Sequence, residues 1–457
     1  MKKSFPFSKA FGPVAGMLKA YEKKNPARFH MPGHKGFLHP WDVTEVSETD
    51  NLLAPSGALL LAQQELAAAY GAKVALFCTG GATTGVIAML LALPKHCTIA
   101  LCRNAHRSAV SGLVLGGHKP VWLLPDRAGS GYGQVCAASV ETALKQNPNT
   151  KAVLVTSPDY MGRCADLGAI RRVCKQHGAL LLVDGAHGAH FALSDALPDS
   201  PGRFADLWVT SAHKTLPCPN SGAYLFGNAC DEAERLKDAL FLVHTTSPSF
   251  LLLSALDSAW RTAREWDYPG HIARLDAVRK RIADVDGLAP FPKARPGVFA
   301  TDPTRLTIDL SGRGLTGYEA DALLQQAGVF LEMADGEHLV AITSPLDPDE
   351  WYDRLILGLS ALPQRPPKAR CDPLLPPLPK AAMLPRDAFF SKRELVPLRE
   401  STGRVCAESF GVYPPGCAAA APGELIDQEV VEAMLSAVRQ GAALFGVTGG
   451  KVQVIMD

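Results

Sequence analysis

Two apolar runs, each ending in ionisable residues, constrain most strongly what this chain can fold into. The first lies in ALLLVDGAHGAHF, where the apolar stretch stops at Asp184. The second, ADLWVT, leads into SAHKTL and Lys214, and the prolines of the following LPCPNSG allow neither strand nor helix to continue. Continuous apolar runs of this length are typical of strands that a parallel sheet buries on both faces. We therefore predict two parallel strands with polar residues at their carboxyl ends.

Four ionisable side chains follow these two strands. They are Asp184, His187, His213 and Lys214. Ligands of α/β proteins bind outside the carboxyl ends of parallel strands, so we expect the four side chains to face one crevice. By itself, Ser-x-His-Lys could be a solvated lysine on a turn. A buried strand that ends in an acid, Asp184, roughly thirty residues upstream makes it more plausible that the acid and the lysine serve one site.

Strand and helix patterns alternate over residues 76–227, which predicts an α/β fold with a mainly parallel sheet and helices on both faces. The lead-in Pro13–Lys24 has helical spacing, RFHMPGHKGF predicts an irregular loop, and Gly57–Ala69 predicts a helix. Beyond Gly227 the pattern becomes helical, with one helix over His271–Ala283, and then that of a small α+β unit in which VFLEMAD predicts a strand.

A lysine beside a buried carboxylate favours pyridoxal phosphate (PLP) as the cofactor. The lysine amine can form a Schiff base with the aldehyde when it is partly desolvated. The carboxylate keeps the pyridine nitrogen protonated, so that the ring accepts electrons. On this hypothesis Lys214 carries the cofactor and Asp184 contacts its ring nitrogen.

The glycine-rich stretch LFCTGGATTGVIAMLLAL is the candidate phosphate site. A short strand runs through Thr79-Gly80-Gly81 into an apolar helix, and small residues let a backbone approach an anion. It is neither a Walker A loop nor a dinucleotide-binding fingerprint. Glycines at such a turn also occur for steric reasons alone.

Composition narrows the classes of function. The 457 residues carry a net charge of +1, so nothing indicates a nucleic-acid partner. The N-terminus lacks the apolar region of a secretory signal, and the apolar run Val86–Leu93 is too short for a membrane span. Eleven cysteines without a Cys-x-x-Cys pair favour neither disulfides nor a metal site, and they fit a cytoplasmic location.

Length predicts two or three domains. We expect an N-terminal segment over residues 1–45 and a PLP-binding major domain over 46–290. A small α+β domain over 291–362, a proline-rich linker over 363–386 and a C-terminal domain over 387–457 follow.

Seven motifs in order resemble those of the ornithine/lysine/arginine decarboxylase family, which has the aspartate-aminotransferase fold of type I PLP enzymes. They are FHMPGHKG, TGGATTG, NAHRS, VDGAHGAHF, SAHKTLP, TTSPSFLLLSALD and the set GRVCAES, YPPG and PGELI near the end. The resemblance covers most of the chain. It implies PLP-dependent decarboxylation of lysine, ornithine or arginine to a diamine or agmatine and CO2.

The resemblance also implies roles for single residues. Lys214 and Asp184 keep the roles given above. Thr83 and Thr84 would hold the phosphate with help from Ser211 and His213, and His213 or Lys214 would return a proton to the substrate carbon. Three further residues would contact the ring: His106 stacked on one face, Ala186 packed against the other, and His187 near its substituents.

The resemblance implies a homo-oligomer with a shared active site. The GHKG loop begins by residue 33 and leaves no room for the N-terminal domain of the family's large members, so we expect a dimer or tetramer. The sequence departs from the family pattern after Lys214. The family often has Leu-Thr-Gln there, whereas this chain has Cys218-Pro219-Asn220-Ser221-Gly222, so substrate preference or turnover could differ from that of other members.

A cationic substrate requires acids, and Glu400 and Glu408 are the candidates, with solvated surface acids as the alternative. Transamination or aldol cleavage stays open, since Arg305 or Arg404 could hold a substrate carboxylate. A PLP-binding protein without turnover is a third alternative.

Overall fold

The computed structural model describes residues 11–128, 131–228, 230–291, 297–366, 378–414 and 416–456. The predicted linker lies partly outside these residues. The helices are α1 (Pro13–Lys23), α2 (Ala58–Tyr70), α3 (Gly81–Leu91), α4 (Arg107–Gly116), α5 (Ala137–Gln146), α6 (Leu167–Gln176), α7 (Ala212–Thr215), α8 (Cys230–Val243), α9 (Phe250–Arg264), α10 (Tyr268–Ala283), α11 (Gly317–Gln326), α12 (Asp349–Ser360), α13 (Pro385–Phe390) and α14 (Gln428–Arg439).

The longer strands are β1 (Val74–Cys78), β2 (Thr98–Cys102), β3 (Lys119–Leu123), β6 (Thr150–Thr156), β8 (Leu180–Asp184), β9 (Leu207–Ser211), β10 (Ala223–Gly227), β13 (Arg305–Asp309), β15 (His338–Ile342), β16 (Arg393–Pro397) and β20 (Lys451–Ile455). The shorter strands are β4 (Arg127–Ala128), β5 (Gly131–Tyr132), β7 (Arg163–Cys164), β11 (Ala289–Pro290), β12 (Ala300–Thr301), β14 (Met333–Ala334), β17 (Gly411–Tyr413), β18 (Ala443–Phe445) and β19 (Val447–Thr448).

The chain divides into two compact units. The first comprises the described residues of Met1–Ala92 and Leu181–Tyr268. In this unit β10 is antiparallel to both β1 and β9, and β9 is parallel to β8. Strands β1, β8 and β9 therefore run in the same direction, and their carboxyl ends lie at one edge.

Helix α3 packs on one face of these strands. A Cβ atom added at Gly85 would lie 2.5 Å from Cγ2 of Val209, so only glycine allows this approach of helix to strand. Asp184 is the register partner of Val209, and register partners point to the same face of a sheet. The Asp184 side chain therefore points to the face that α3 covers.

Asp50 fixes the start of α2. Its carboxylate accepts hydrogen bonds from the backbone N–H groups of Asn51, Ser56, Gly57 and Leu59. The N-cap residue Gly57 has no side chain to do this, so a carboxylate seven residues upstream satisfies the amides of the first turn. Burial acts to raise the pKa of Asp50, but the four backbone donors outweigh it and hold the pKa below its ordinary value.

The second unit comprises the described residues of Leu93–Leu180 and Pro269–Asp457. Here β2 is parallel to both β3 and β6. A four-stranded antiparallel sheet follows in the order β11-β13-β15-β14, with α11 and α12. The C-terminal part contains the sheet β16-β20-β19, the pair β17–β18 and α14. The predicted α/β fold with a mainly parallel sheet is confirmed.

Two predicted elements differ in extent. The predicted helix over 271–283 begins earlier, at Tyr268, because Pro269 lies in the first turn, where the missing N–H costs nothing. The predicted strand VFLEMAD is reduced to Met333–Ala334. Its first residue instead closes the end of α11, where the Val329 N–H donates to the carbonyl of Leu324.

Candidate active site

The carboxyl ends of β1, β8 and β9 bring three polar segments to one edge of the first unit. The register aligns Cys78 with Ala223 and Ala223 with Ser211, so β1 and β9 end at the same level with β10 between them. Neighbouring strands are about 4.8 Å apart. The residues that follow these strands are the glycine-rich turn, the segment after Asp184 and the segment with Lys214.

Lys214 lies on α7, the short helix that follows β9 directly. Its Nζ is 2.9 Å from Nε2 of His187, whose side chain is buried. His187 lies in the turn after β8, which is closed by the Gly188 N–H donating to the carbonyl of Gly185. Two strand ends thus place an amine and an imidazole within hydrogen-bond distance.

Asp184 is buried, with 5% of its surface exposed. Its Oδ1 accepts a hydrogen bond of 3.1 Å from the backbone N–H of Ala186. The same segment is bonded to β9, because the Gly185 N–H donates to the carbonyl of Val209 and the Ser211 N–H donates to that of Ala186. These bonds fix Asp184 and Ala186 relative to the strand that leads to Lys214.

His213 and Ser211 flank this segment. Nδ1 of His213 is 2.9 Å from the carbonyl oxygen of Gly222, to which its backbone N–H also donates. The ring is therefore held by the loop after Lys214, the segment in which the sequence departs from the family pattern. Ser211 is buried at the end of β9.

The glycine-rich turn leads from β1 into α3. Thr84 is buried, and its hydroxyl donates to the carbonyl of Gly80 over 3.1 Å, whereas Thr83 is exposed in the first turn. Gly80 is the N-cap residue and makes no side-chain cap. A Cβ at Gly80 would lie 2.2 Å from the Thr84 hydroxyl oxygen, so a larger residue at this position would displace that hydroxyl.

These residues fit PLP by their chemistry. Lys214 could provide an amine for the aldehyde, Asp184 a buried acid for the ring nitrogen, and the uncapped start of α3 backbone donors for the phosphate. All three are at the edge of one sheet, which is where the fold class binds ligands.

His106 belongs to the second unit. It is the N-cap residue of α4, and its Nδ1 accepts a 3.2 Å hydrogen bond from the Ser108 N–H. Its stacking on a cofactor stays a prediction. Cys417, in the C-terminal part of the chain, forms a β-bridge with His106. The Cys417 thiol donates to the carbonyl of Asn104.

Sequence analysis missed a buried ion pair close to His106. Arg103 and Glu424 form a bidentate pair with distances of 2.7 and 2.8 Å, and both side chains are almost fully buried. Arg103 also donates to the carbonyl of Ala419. A lone glutamate in the apolar stretch CAAAAPGELI was the signal that could have indicated a buried partner.

A second missed residue is His244, which precedes the motif TTSPSF. Its Nε2 is 3.0 Å from the backbone nitrogen of Thr79, in the glycine-rich turn. The histidine lies between the apolar FLV and the hydroxyl-rich TTS, and nothing local relates it to residue 79.

The predicted substrate acids lie in the C-terminal part. Glu400 is exposed on a short 3-10 turn, and a carboxylate oxygen of Glu408 is 4.0 Å from Nη1 of Arg393. Arg404 donates to Glu394, and Arg305 is buried on β13. Burial lowers the pKa of Arg305, with nearby acids including Asp302 opposing that shift.

Comparison with known proteins identifies the family. The model of the Orn/Lys/Arg decarboxylase major domain matches residues 12–283, and that of the C-terminal domain matches residues 371–446. The chain belongs to the Orn/Lys/Arg decarboxylase family. The predicted family is thereby confirmed, together with the predicted enzyme class, a PLP-dependent decarboxylase of basic amino acids.

Two relatives in this family are named arginine decarboxylase. That of Halalkalibacterium halodurans is 33% identical over 449 residues, with 91% of each chain covered. That of Bacillus subtilis is 30% identical over 476 residues, with 97% of each chain covered.

Solved structures share the fold. The constitutive lysine decarboxylase of E. coli aligns with a TM-score of 0.82 at 19% identity, covering 98% of this chain and 82% of that chain. Lysine decarboxylase A from Pseudomonas aeruginosa aligns with a TM-score of 0.83 at 17% identity and covers 98% and 81%. Within the described residues, no helix combines the length and hydropathy that crossing a bilayer requires.

Proposed function

We propose that this chain binds PLP and decarboxylates arginine to agmatine and CO2. The observation that carries the proposal is the 2.9 Å approach of Lys214 Nζ to His187 Nε2 at the edge where buried Asp184 lies. Arginine is favoured over lysine because the relatives named arginine decarboxylase are 30% or more identical over nine-tenths of the chain. The lysine decarboxylase structures are below 20% identity and support the fold only.

Bound at Lys214, PLP supplies an acceptor for the electron pair that remains when the α-carboxylate leaves as CO2. The chain's own residues position this chemistry. Asp184 would hold a proton on the ring nitrogen through its buried carboxylate, and the backbone N–H groups at the start of α3 would hold the phosphate, with Thr83 and Thr84 beside them.

Proton transfer falls to Lys214 and the two histidines. Nζ of Lys214 and Nε2 of His187 are close enough to share a proton, which lets the amine become neutral for attack. In the reaction the bond from Cα to the carboxyl carbon breaks, and Cα takes up one proton in its place. We assign the return of that proton to Lys214 Nζ or His213, as the sequence predicts.

We assign binding of the substrate guanidinium to Glu408 or Glu400. Glu408 is the better candidate because its carboxylate lies 4.0 Å from Nη1 of Arg393, a contact of the same chemical kind as the one proposed for the substrate. Planar guanidinium and carboxylate groups can form two parallel hydrogen bonds, which lysine cannot do.

A product assay with three substrates tests the proposed reaction. The purified full chain with PLP is incubated with arginine, lysine or ornithine, with and without 2-oxoglutarate. We expect agmatine and CO2 from arginine, with kcat/KM at least about tenfold above the other two. Preference for lysine or ornithine would overturn the substrate assignment.

The same assay separates the alternative reactions. Glutamate formed from 2-oxoglutarate would indicate an aminotransferase, and cofactor binding without any product would indicate a PLP-binding protein without turnover. Either result would overturn the decarboxylase assignment.

We also propose the division into domains over residues 46–290, 291–362 and 387–457, preceded by the segment 1–45 and joined by the linker 363–386. Two buried clusters support the last two domains, one formed mainly by residues from Leu306 to Leu362 together with residues from Leu275 to Leu288, and one formed by residues from Leu398 to Val454.

The proposal further includes a homodimer or homotetramer with a shared active site, a cytoplasmic location and a role in polyamine biosynthesis. Light scattering by the purified chain would measure the oligomeric state.

A further inference from the structure

His244 connects two motifs of the first unit that are 165 residues apart. It follows the last residue of α8, and its ring reaches the turn between β1 and α3. Nε2 is 3.0 Å from the backbone nitrogen of Thr79 and 3.3 Å from the Thr79 hydroxyl oxygen.

The tautomer of His244 follows from its second contact. Nδ1 is 3.1 Å from the carbonyl oxygen of Thr245, which can only accept, so the proton of the neutral ring is on Nδ1. Nε2 then has a free lone pair and accepts from the Thr79 N–H. Burial lowers the pKa of His244, although the bond to Thr245 opposes that shift, and the neutral ring is favoured.

Thr79 needs such an acceptor because the sheet provides none. The pairing of β1 with β10 ends at Cys78, one residue earlier. A backbone N–H without a partner in a half-buried turn would be costly. His244 thus replaces the strand partner at the point where the chain leaves the sheet for α3.

The turn is therefore held at both ends. His244 fixes Thr79 from outside, and the Thr84 hydroxyl fixes Gly80 from within α3. Between them Gly81 adopts a φ of +74°, a conformation that favours glycine. The direction of the first N–H groups of α3 depends on this turn.

We propose that His244 is a positioning residue for the phosphate-binding turn, and that it sets the affinity for the cofactor phosphate by accepting the Thr79 N–H. This role rests on the proposed function, because the phosphate belongs to PLP. His244 contacts the turn and contributes no group to the reacting atoms.

Cofactor binding by two variants of the full chain tests this role. We expect His244→Leu, which has no acceptor, to bind PLP about tenfold more weakly. Its affinity for pyridoxal, which lacks the phosphate, should be unchanged. His244→Gln carries an oxygen that can accept the Thr79 N–H and should recover most of the PLP affinity. The readout is a titration of cofactor-free chain, followed by the absorbance of the bound cofactor.

Two outcomes would overturn the role of His244. One is an equal loss of affinity for PLP and pyridoxal in His244→Leu, and the other is a His244→Gln variant no better than His244→Leu. If a variant fails to fold, the ¹⁵N shifts of His244 in the wild-type chain decide, since protonation on Nε2 would contradict an acceptor at that atom. Failure of the proposed function looks different: wild-type chain treated with PLP and borohydride would carry no mass adduct at Lys214.

Discussion

At the scale of single residues, the proposed chemistry of this chain depends on side chains whose positions are set by strand ends. Asp184 and Lys214 are the clearest cases, because an apolar run that stops at a charged residue marks the end of a buried strand. That signal is local, so sequence analysis could find these two residues and His187 beside them. It could not find His244, whose partner Thr79 is brought near only by the packing of α8 and α3.

Asp184 gives the sharpest test at this scale. Replacing Asp184 by Asn keeps the size of the side chain but removes the charge that, on the proposed function, would hold the ring nitrogen protonated. We expect kcat for agmatine formation to fall by about a hundredfold or more while PLP stays bound. Asp195→Asn, at an exposed position nearby in sequence, is the matched control and should leave kcat unchanged. Near-normal turnover by Asp184→Asn with bound cofactor would contradict the role of this carboxylate.

At the scale of elements, most helices and strands begin and end close to where sequence patterns place them, because periodicity and capping residues are local. The start of α2 is an exception, because its position can be predicted from the sequence but the group that caps it cannot. Pro55 and Ser56 indicate its position in the sequence, but the group that satisfies its first amides is the carboxylate of Asp50, seven residues before the N-cap. Such a cap depends on the fold of the preceding loop.

Asp50 therefore predicts a pH-dependent contribution to stability. Because its pKa is lower in the folded state than the ordinary value of 3.8, the carboxylate stabilises the fold at pH values above that and loses this effect as the pH falls through the lowered pKa. We expect Asp50→Asn to lower the free energy of unfolding by about 1–2 kcal/mol at pH 7.

Thermal melting between pH 7 and pH 3 measures this effect. The difference in Tm between wild type and Asp50→Asn should be constant down to about pH 5 and shrink below the ordinary carboxyl pKa. Asp195→Asn again serves as the control. A difference that grows on acidification would contradict a folded-state pKa below the ordinary value.

At the scale of the whole molecule, contacts between distant parts of the sequence are the ones that patterns do not indicate. Arg103 and Glu424 are 321 residues apart, and their bidentate pair is almost fully buried. Arg103 also lies 4.6 Å from the ring of Trp122, measured from its guanidinium carbon. The order β1-β10-β9 is equally hidden from the sequence, since nothing local tells an antiparallel strand to enter between two parallel ones.

The Arg103–Glu424 pair predicts strong non-additivity. Glu424→Leu leaves a buried guanidinium without its counter-ion and should lower the free energy of unfolding by about 3–5 kcal/mol. The double variant Arg103→Met with Glu424→Leu should be more stable than Glu424→Leu alone, because no unpaired charge is left. Urea unfolding of the wild type, Glu424→Leu and the double variant measures the free energy of unfolding of each. If the double variant were the less stable of the two, the pair would not be the cause of the loss.

The position of β10 in the sheet also has a consequence for the order in which the site forms during protein synthesis. β10 (Ala223–Gly227) separates β1 from β9, although it comes after both in the chain. On a ribosome, the glycine-rich turn and the lysine segment have therefore emerged before the strand that aligns them exists. A nascent chain halted short of residue 223 has the segments of Asp184 and Lys214, which β8 and β9 join directly, but it lacks the strand that connects β1 and the glycine-rich turn to β9. If the chain binds PLP as proposed, we therefore expect complete cofactor binding only after β10 has been made, since β10 alone connects β1 to β9 in this sheet.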